Sequence, residues 1–389
     1  MGLLIENKII KISVLLGVFL SLFFFIYNPL LATADEKKPD KEDKQIDPSA
    51  EADPDRLGIN IFPILYYTPE TKVAFGLSSF LTYRFGLLSK ETRPSSLFLA
   101  AIYTQMKQFT LQVKPELYLQ NNSLYLTGNF MSERFPTKLW GIGPNTEDSM
   151  EESYTPQRYI MDLSLQKKIF AEVPVYLGLR YQLESFKIVE KEPGKLLDQN
   201  LVPGSTGGLI SGPGFIITYD SRDNIFYPSS GYYLQLFGLW NNHIFGSDYD
   251  YLNVKADLRS YITLGKNQTL VLQFLAESNS GEVPFHKLAR IGGDSLLRGF
   301  YGGRFRDKKL LAFQTEYRFS LWKRLGAVVF GGLGNLAENF NSLTWDNLKF
   351  AAGFGFRFKV IPRENVNVRV DFAFGSGTHG IYLSAGEAF

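Results

Sequence analysis

The sequence predicts an all-β fold, a transmembrane antiparallel β-barrel of about sixteen strands. Aromatic residues make up 15% of the chain, with 33 Phe and 21 Tyr. Segments that alternate apolar and polar residues run for about ten residues or more, the length that a tilted strand needs to cross a bilayer. Strands of soluble β-sandwiches are shorter, about 5 to 6 residues on average. The amino terminus also looks like an export signal, which favours the membrane interpretation.

The first 34 residues are predicted to be a cleaved secretory signal. Lys8 and Lys11 precede the apolar run ISVLLGVFLSLFFFIY, and Ala32-Thr33-Ala34 offers a small-residue cleavage site. An uncleaved anchor is the alternative, because the run is close to the roughly 18 residues of a membrane span. Residues 35–56 are charged, contain proline and have no aromatic residue, which predicts a disordered periplasmic tether. Residues 57–389 are assigned to the barrel.

Two late segments show the alternation clearly. In KFAAGFGFRFKV, one face carries Phe350, Phe354, Phe356 and Phe358, and the other carries lysine, glycine and Arg357. In NVNVRVDFAF, valine and phenylalanine alternate with asparagine, arginine, aspartate and alanine. One face of each strand is therefore expected to contact lipid and the other to face the lumen.

Runs of this kind divide the chain into about sixteen predicted strands, an even number that places both chain ends in the periplasm. The runs are 57–67, 72–85, 95–106, 109–119, 123–134, 158–170, 173–188, 208–219, 231–241, 251–264, 269–277, 309–321, 325–336, 347–360, 365–374 and 379–389. Long connections follow odd-numbered runs, near 136–156, 189–207 and 279–308, as extracellular loops should. The connections after even-numbered runs are mostly tight, such as GKNQ and IPRE.

Composition excludes several classes of function. The formal net charge is +2, which does not favour nucleic-acid binding. The chain has no cysteine and three scattered histidines, so no thiolate site, metal cluster or cofactor is expected. An outer-membrane lipid hydrolase using His243 and Ser247 is a weak alternative, because the segment NNHIFGSD shows no orienting group at a convincing spacing. The chain is therefore not expected to be an enzyme.

The glycine-rich connection ARIGGDSLLRGFYGG, between the eleventh and twelfth runs, contains Leu297-Arg298-Gly299-Phe300. This tetrapeptide, and the preceding IGGDSL, resemble the sixth extracellular loop of the outer-membrane barrel superfamily of assembly and secretion pores that includes BamA, TamA, FhaC and the bacterial surface antigen domain. The resemblance implies that this loop folds back into the lumen and that the arginine locks it there.

Further matches follow in the order of that family. Asp220, Arg222, Asp223, Pro228 and Gly231 resemble its turn between the eighth and ninth strands. LWGIGPNT, the Gly353-x-Gly355-x-Arg357 motif and the terminal Phe389, a candidate assembly signal, also fit. Asp220, Arg222 and Asp223 have the simpler interpretation that they satisfy a turn. The two glycines are better explained by close backbone approach than by phosphate binding, since no helix follows them.

Arg298 needs an acidic partner or a water-lined cavity if it lies inside a barrel, because its guanidinium stays charged. Alternation places Glu316 in the lumen, so we expect Glu316 to be that partner. The family's second partner is an aspartate at a position that is Gly332 here, which leaves a two-carboxylate clamp open to question. Asp371, also lumenal by parity, is the candidate that compensates.

The resemblance implies a protein of outer-membrane assembly or translocation, in contact with outer-membrane lipids. Its partners would be unfolded outer-membrane or secreted client proteins and a separate periplasmic protein, since residues 35–56 are too short for a POTRA module. A structural or diffusion pore of the same fold is the alternative function. Pro63 in the first run cannot donate a hydrogen bond to a neighbouring strand, which predicts weak pairing at the seam, the junction between the first and last runs. Proline is also an ordinary residue of edge strands. Glu387 shares the parity of Ile381 and Leu383, which predicts a position at the periplasmic rim.

Overall fold

The structure, a computed structural model, describes residues 57–68, 72–85, 92–362 and 364–389. The predicted signal and tether lie outside these residues. Within them, no α-helix is long and apolar enough to span a membrane.

Sixteen long strands make up nearly all of the regular structure in the described ranges, which confirms the all-β prediction. They are β1 (Leu57–Thr68), β2 (Lys72–Tyr83), β3 (Ser95–Thr104), β4 (Phe109–Leu119), β5 (Leu124–Arg134), β6 (Glu152–Lys168), β7 (Val175–Lys191), β8 (Gly208–Asp220), β9 (Gly231–Asn241), β10 (Tyr251–Gly265), β11 (Gln268–Gly281), β12 (Lys309–Trp322), β13 (Leu325–Ala337), β14 (Lys349–Ile361), β15 (Val366–Gly375) and β16 (Thr378–Ala385). Each of the sixteen predicted runs corresponds to one of these strands.

Every long strand pairs antiparallel with the next one along the chain, from β1–β2 to β15–β16. The short strand Thr137–Leu139 extends the sheet beside β6. Tight turns join most even-numbered strands to their successors; between β10 and β11 only residues 266–267 intervene. This all-neighbour antiparallel order is that of a membrane barrel.

The two faces of the strands differ as the alternation predicts. On β14, Phe354 is 45% exposed and Phe356 is 44% exposed. Arg357, the residue after Phe356, points to the opposite face and is 1% exposed. On β15, Phe374 is exposed while Arg369 and Asp371 are buried. Apolar side chains that face outwards suit lipid, and the charged side chains are enclosed by the barrel.

The connection between β11 and β12, residues 282–308, folds into the lumen, and we call it the inner loop. Its short strands Ala289–Ile291 and Phe305–Asp307 form a hairpin. Ile291, Leu297 and Phe300 are buried in one apolar cluster with side chains of the barrel wall. The LWGIGPNT loop also touches the inner loop, since the Gly143 amide donates to the Arg306 carbonyl at 2.8 Å.

Glu387 does not face outwards as the parity of Ile381 and Leu383 predicts, although it accepts from Asn367, beside the tight turn that precedes β15. Gly386 adopts a left-handed conformation with φ +81°, which ends the alternation of β16 and turns the chain inwards. The Glu387 side chain is 4% exposed, and its Oε2 lies 2.8 Å from Arg357 Nε in the lumen. Strand parity failed here because it holds only while the extended conformation continues.

Candidate functional site

The tip of the inner loop is shaped by backbone geometry. Leu297 and Gly299 both have positive φ, +48° and +119°. The Leu297 amide donates to Gln314 Oε1 at 2.8 Å, and its side chain is buried in the apolar cluster. A Cβ added to Gly299 would lie 2.7 Å from the Gly375 nitrogen. Only glycine allows the tip to approach the wall this closely.

Arg298 at the tip is held by two carboxylates on different strands. Its Nη2 lies 2.7 Å from Glu316 Oε2 on β12, and its Nη1 lies 2.6 Å from Asp371 Oδ2 on β15. The guanidinium also stacks on Phe330, with its Cζ 3.4 Å from the ring centroid. The arginine is 1% exposed, so both ion pairs are removed from solvent.

Three further arginines surround the same carboxylates, and with them form what we call the lumenal charge cluster. Its members are Arg298, Arg318, Arg357, Arg369, Glu316 and Asp371. Arg318 Nε donates to Glu316 at 2.7 Å, whereas Arg357 and Arg369 both donate to Asp371. Four cations share two carboxylates here, so the cluster depends on additional anionic groups.

The C-terminal segment, residues 386–389, supplies part of that anionic charge. Glu387 binds Arg357, and the Phe389 carbonyl accepts from Arg318 Nη2 at 2.9 Å. The Phe389 side chain is buried with Tyr261 and Val271 across the lumen. The segment and the inner loop are therefore bound through the same carboxylate–arginine cluster.

Tyr382 on β16 joins the last strand to the loop tip. Its hydroxyl accepts from the Gly299 amide at 2.9 Å and donates to the Phe300 carbonyl at 3.1 Å. The Phe300 ring lies against Gly375, where an added Cβ would be 2.8 Å from Phe300 Cζ. The tip thus contacts the two strands at the carboxyl end of the sheet.

The glycine motif of β14 makes room for the cluster. A Cβ on Gly355 would lie 2.0 Å from Asp371 Oδ1, and one on Gly353 would lie 2.5 Å from Phe330 Cζ. Gly355 is directly opposite Asp371 in the β14–β15 register, and Arg357 is two residues further on the same face. The glycines therefore permit close approach of side chains from neighbouring strands.

Gly332, at the position where the resemblance implies a second acid, pairs with Gln314 across the β12–β13 ladder. Asp371 instead occupies the second carboxylate position beside Arg298. The structure thus brings Arg298, Glu316 and Asp371 together as the sequence suggested, with the acid on β15 rather than β13.

The turn motif between β8 and β9 forms a separate site. Asp220 accepts from Arg222 Nε at 2.9 Å and from Arg93, and Asp223 accepts the Ser229 amide at 2.9 Å. Burial alone would lower the pKa of Arg222, but its hydrogen bonds and ion pair with Asp220 raise that pKa well above the ordinary value. These contacts fix the turn.

The shape of that turn also requires its other two motif residues. Pro228 is buried, and a Cβ on Gly231, which has φ +99°, would lie 2.3 Å from the Ser221 carbonyl oxygen. Phe226 of the turn packs edge-on against Phe80 of β2, with ring centroids 5.4 Å apart. The turn therefore reaches across the barrel to its first strands.

His243 and Ser247 do not form a nucleophile–base pair. His243 Nδ1 lies 3.0 Å from Asp250, and the Ser247 hydroxyl donates to the Tyr249 carbonyl at 2.7 Å. Among the described residues, no three metal-ligating side chains are grouped together.

Sequence reasoning missed several members of the site. Arg318 and Arg369 share the lumenal parity of Glu316 and Asp371, so alternation contained the signal for both. Phe330 lies two residues before Gly332, and its ring, on which Arg298 stacks, had no signal in the charge pattern. Tyr382 carried no signal beyond its parity.

Comparisons with known proteins agree with this geometry. Residues 96–389 match the profile of the Omp85 superfamily domain. A sequence comparison with curated proteins finds no match.

Solved structures include barrels of the same fold. BamA from Haemophilus ducreyi lacking POTRA domains 1–3 superposes with a TM-score of 0.53 at 16% identity, covering 85% of this chain and 69% of that one. CdiB from Escherichia coli superposes with a TM-score of 0.53 at 10% identity, covering 85% of this chain and 61% of the CdiB chain. CdiB from Acinetobacter baumannii superposes with a TM-score of 0.51 at 10% identity, covering 82% of this chain and 62% of the CdiB chain. The chain therefore spans less than two thirds of either CdiB chain.

Proposed function

The chain belongs to the Omp85 superfamily of outer-membrane β-barrels, and on that premise we propose that it takes part in protein assembly or translocation at the outer membrane. The proposed role is that of a BamA- or TamA-like barrel, which works by parting its first and last strands. It is not that of an enzyme.

The observation that carries this proposal is the shared attachment of the inner loop and the C-terminal segment. Asp371 binds Arg298 of the loop and Arg357, and Arg357 binds Glu387. A shift of the loop would therefore alter the support of β16, the strand that must move if the seam opens. β16 is also shorter than β1, with 8 residues against 12.

A diffusion pore needs a clear lumen, whereas here the inner loop and the C-terminal segment both enter the lumen. Phe389 lies beside Tyr261 of β10, and the loop tip lies against β15. This occupation favours the assembly function over passive diffusion as the principal role.

The proposed partners follow from the family and from the barrel surface. Its apolar outer face suits outer-membrane lipids. We propose that both ends of the barrel lie in the periplasm, which an even number of strands supports. The clients would be unfolded outer-membrane or secreted proteins, delivered with the help of a separate periplasmic protein.

The test is assisted insertion in proteoliposomes. Purified protein is reconstituted, and the folding of an unfolded second barrel is followed by its shift on semi-native electrophoresis. We expect faster insertion than in liposomes carrying the same amount of an unrelated barrel. Equal rates in both, together with free passage of ions through this protein, would replace the proposal with the diffusion pore.

A further inference from the structure

The inner-loop hairpin places two arginines directly opposite each other. Arg290 on its first strand is the register partner of Arg306 on its second. Both side chains lie near Gly303, where an added Cβ would be 2.9 Å from Arg306 Nη2 and 3.5 Å from Arg290 Cδ. Like charges opposite one another destabilise a two-stranded pair unless an anion lies between or beside them.

Within the described ranges, neither arginine of this pair forms a salt bridge with a carboxylate, although Glu277 lies close enough to act on Arg290 and Glu152 on Arg306. Arg306 is 4% exposed and donates to carbonyl oxygens, including that of Gly303 at 3.0 Å. Arg290 makes no hydrogen bond or ion pair with any residue that the structure describes. The Arg290 side chain is solvent-accessible, and its pKa is lowered by partial desolvation and by the nearby charges of Arg158 and Arg306, while Tyr154 and Glu277 oppose this shift.

A third arginine faces the same space from the barrel wall. Arg158 on β6 donates through Nε to Glu133 at 2.6 Å, so that carboxylate already has a cationic partner. A second carboxylate, Glu184, is already bound by Lys287 at 2.5 Å and by His286 Nε2 at 3.1 Å. The carboxylates of Glu133 and Glu184 near Arg290 are therefore already bound by other cations.

These arginines line a partly open cavity of about 450 Å³ between the inner loop and the wall. Its volume falls within the range of about 300 to 1,000 Å³ that is typical of small-molecule sites. Phe135, Ile188 and Phe285 contribute apolar surface, and Tyr154 lies beside them. His286 also lines the cavity, and its buried Nδ1 has no hydrogen-bond partner in the described part of the chain.

We propose that this cavity binds a ligand that carries a phosphate group, with Arg290 and Arg306 as its principal contacts. Guanidinium groups present paired N–H donors that match phosphate oxygens, and the two side chains extend from adjacent positions of one hairpin. Because Glu184 accepts from His286 Nε2–H, the Nδ1 atom is free to accept a hydrogen bond from a hydroxyl of the ligand. The apolar part of the lining would contact the organic portion.

Phosphate chemistry has two sources here, a soluble phosphate or the headgroup of a lipid. Equilibrium dialysis of the full chain, folded in an uncharged detergent, distinguishes them with inorganic phosphate and with dihexanoyl phosphatidic acid as probes. The variant is Arg290→Gln, which removes no hydrogen bond or salt bridge among the described residues. The matched control is Arg324→Gln, an exposed arginine in the turn between β12 and β13.

We expect saturable binding of at least one probe, at least tenfold weaker in Arg290→Gln and unchanged in Arg324→Gln. Tighter binding of inorganic phosphate would indicate a soluble ligand, and tighter binding of the phosphatidic acid would indicate a lipid. The inference is overturned if neither probe binds saturably, or if Arg290→Gln binds like the wild type. Semi-native electrophoresis of each variant confirms that the barrel is folded before dialysis. The inference does not depend on the proposed assembly function.

Discussion

Arg357 on β14 binds Glu387 of the C-terminal segment, with 2.8 Å between Nε and Oε2. The same guanidinium donates to Asp371, which in turn binds Arg298 at the tip of the inner loop. The segment after the last strand is thus joined to a loop that lies between β11 and β12. Through these ion pairs, the cluster forms a link between two parts of the chain that are far apart in sequence.

Replacing Glu387 tests whether this link stabilises the barrel. Glu387→Gln removes a charged partner of Arg357, and a hydrogen bond between charged groups contributes about 1.5 to 3 kcal/mol. We expect a lower temperature for the loss of the compact band on semi-native electrophoresis. The control is Glu338→Gln, whose side chain is 70% exposed and 3.8 Å from Lys308. Equal transitions in both variants would contradict a stabilising role.

Charge balance predicts that the carboxylates of the cluster matter more than the loop arginine. Arg298→Gln leaves Glu316 paired with Arg318, so we expect a loss of about 3 kcal/mol, at the low end for breaking a buried pair. Glu316→Gln leaves buried arginines without that carboxylate and should be more destabilising.

Thermal transitions and limited proteolysis of the inner loop measure both variants. A transition for Glu316→Gln at or above that of Arg298→Gln would contradict this order. The charge swap Arg298→Glu with Glu316→Arg should restore little, because the new arginine would face Arg318 and Arg357.

Close approach of the loop tip to the wall predicts sensitivity at Gly299. Gly299→Ala would place a methyl group 2.7 Å from the Gly375 nitrogen and should displace the tip from β15. Gly143→Ala is the matched control, since its φ of +116° is similar to the +119° of Gly299 but no atom lies within 4 Å of the added Cβ. We expect faster cleavage of the inner loop by protease in Gly299→Ala alone. If protease cleaves the inner loop at the same rate in both variants, the effect would come from backbone strain and not from the close approach of the tip to β15.

The base of the inner loop should weaken in acid. Burial lowers the pKa of His286 to about 4, against 6.5 for the unperturbed side chain, despite the opposing effect of Glu184. Lys287 and Arg158 also face this histidine and oppose its protonation. Because the folded-state pKa is the lower one, the neutral histidine contributes full stability above about pH 6.5, and this is lost as the pH falls towards 4.

The loss approaches about 3 kcal/mol for a shift of this size. Thermal transitions of the wild type and of His286→Gln at pH 7.5 and 4.5 measure it, and the variant should show a smaller pH dependence. His379→Gln, a change at an exposed histidine, should keep the wild-type dependence. A wild-type dependence in His286→Gln would place the acid sensitivity elsewhere.

Alternation was sufficient to predict the sixteen strands and their two faces, because a lipid environment imposes a strict period of two on each strand. It also placed Glu316 and Asp371 in the lumen. It failed at Glu387, since a single left-handed residue, Gly386, reverses the parity.

The extent of the charge cluster was not predictable from pairwise reasoning. The sequence pattern suggests one or two carboxylate partners for Arg298, whereas the position of Arg318 beside Glu316 depends on side-chain rotamers. The cavity around Arg290 depends on how the inner-loop hairpin packs against β6, which the sequence pattern does not specify.

The last prediction concerns the seam between β1 and β16. An assembly barrel must part these strands, so a disulfide between them should abolish assisted insertion and leave the fold intact, whereas a diffusion pore should be indifferent. Asn60 lies between Ile59 and Ile61, which are 58% and 63% exposed on the outer face, so Asn60 faces the lumen, as does Ser384 between exposed Leu383 and Ala385. Cysteines at or next to these two positions, with Cα atoms within about 7 Å, can form the bond, and the native chain has no cysteine to compete.

The matched control is a disulfide that links β1 to β2 instead of to β16. Phe62 and Ser78 are direct partners in that ladder, so the double variant Phe62→Cys with Ser78→Cys fixes the first hairpin without crossing the seam. We expect oxidation to stop insertion of the client barrel only in the β1–β16 variant, and reduction to restore it. If the oxidised β1–β16 protein still inserts clients as fast as its reduced form, the seam does not open during function. If oxidation of the control also stops insertion, flexibility of the first hairpin, rather than separation of the terminal strands, is what the activity requires.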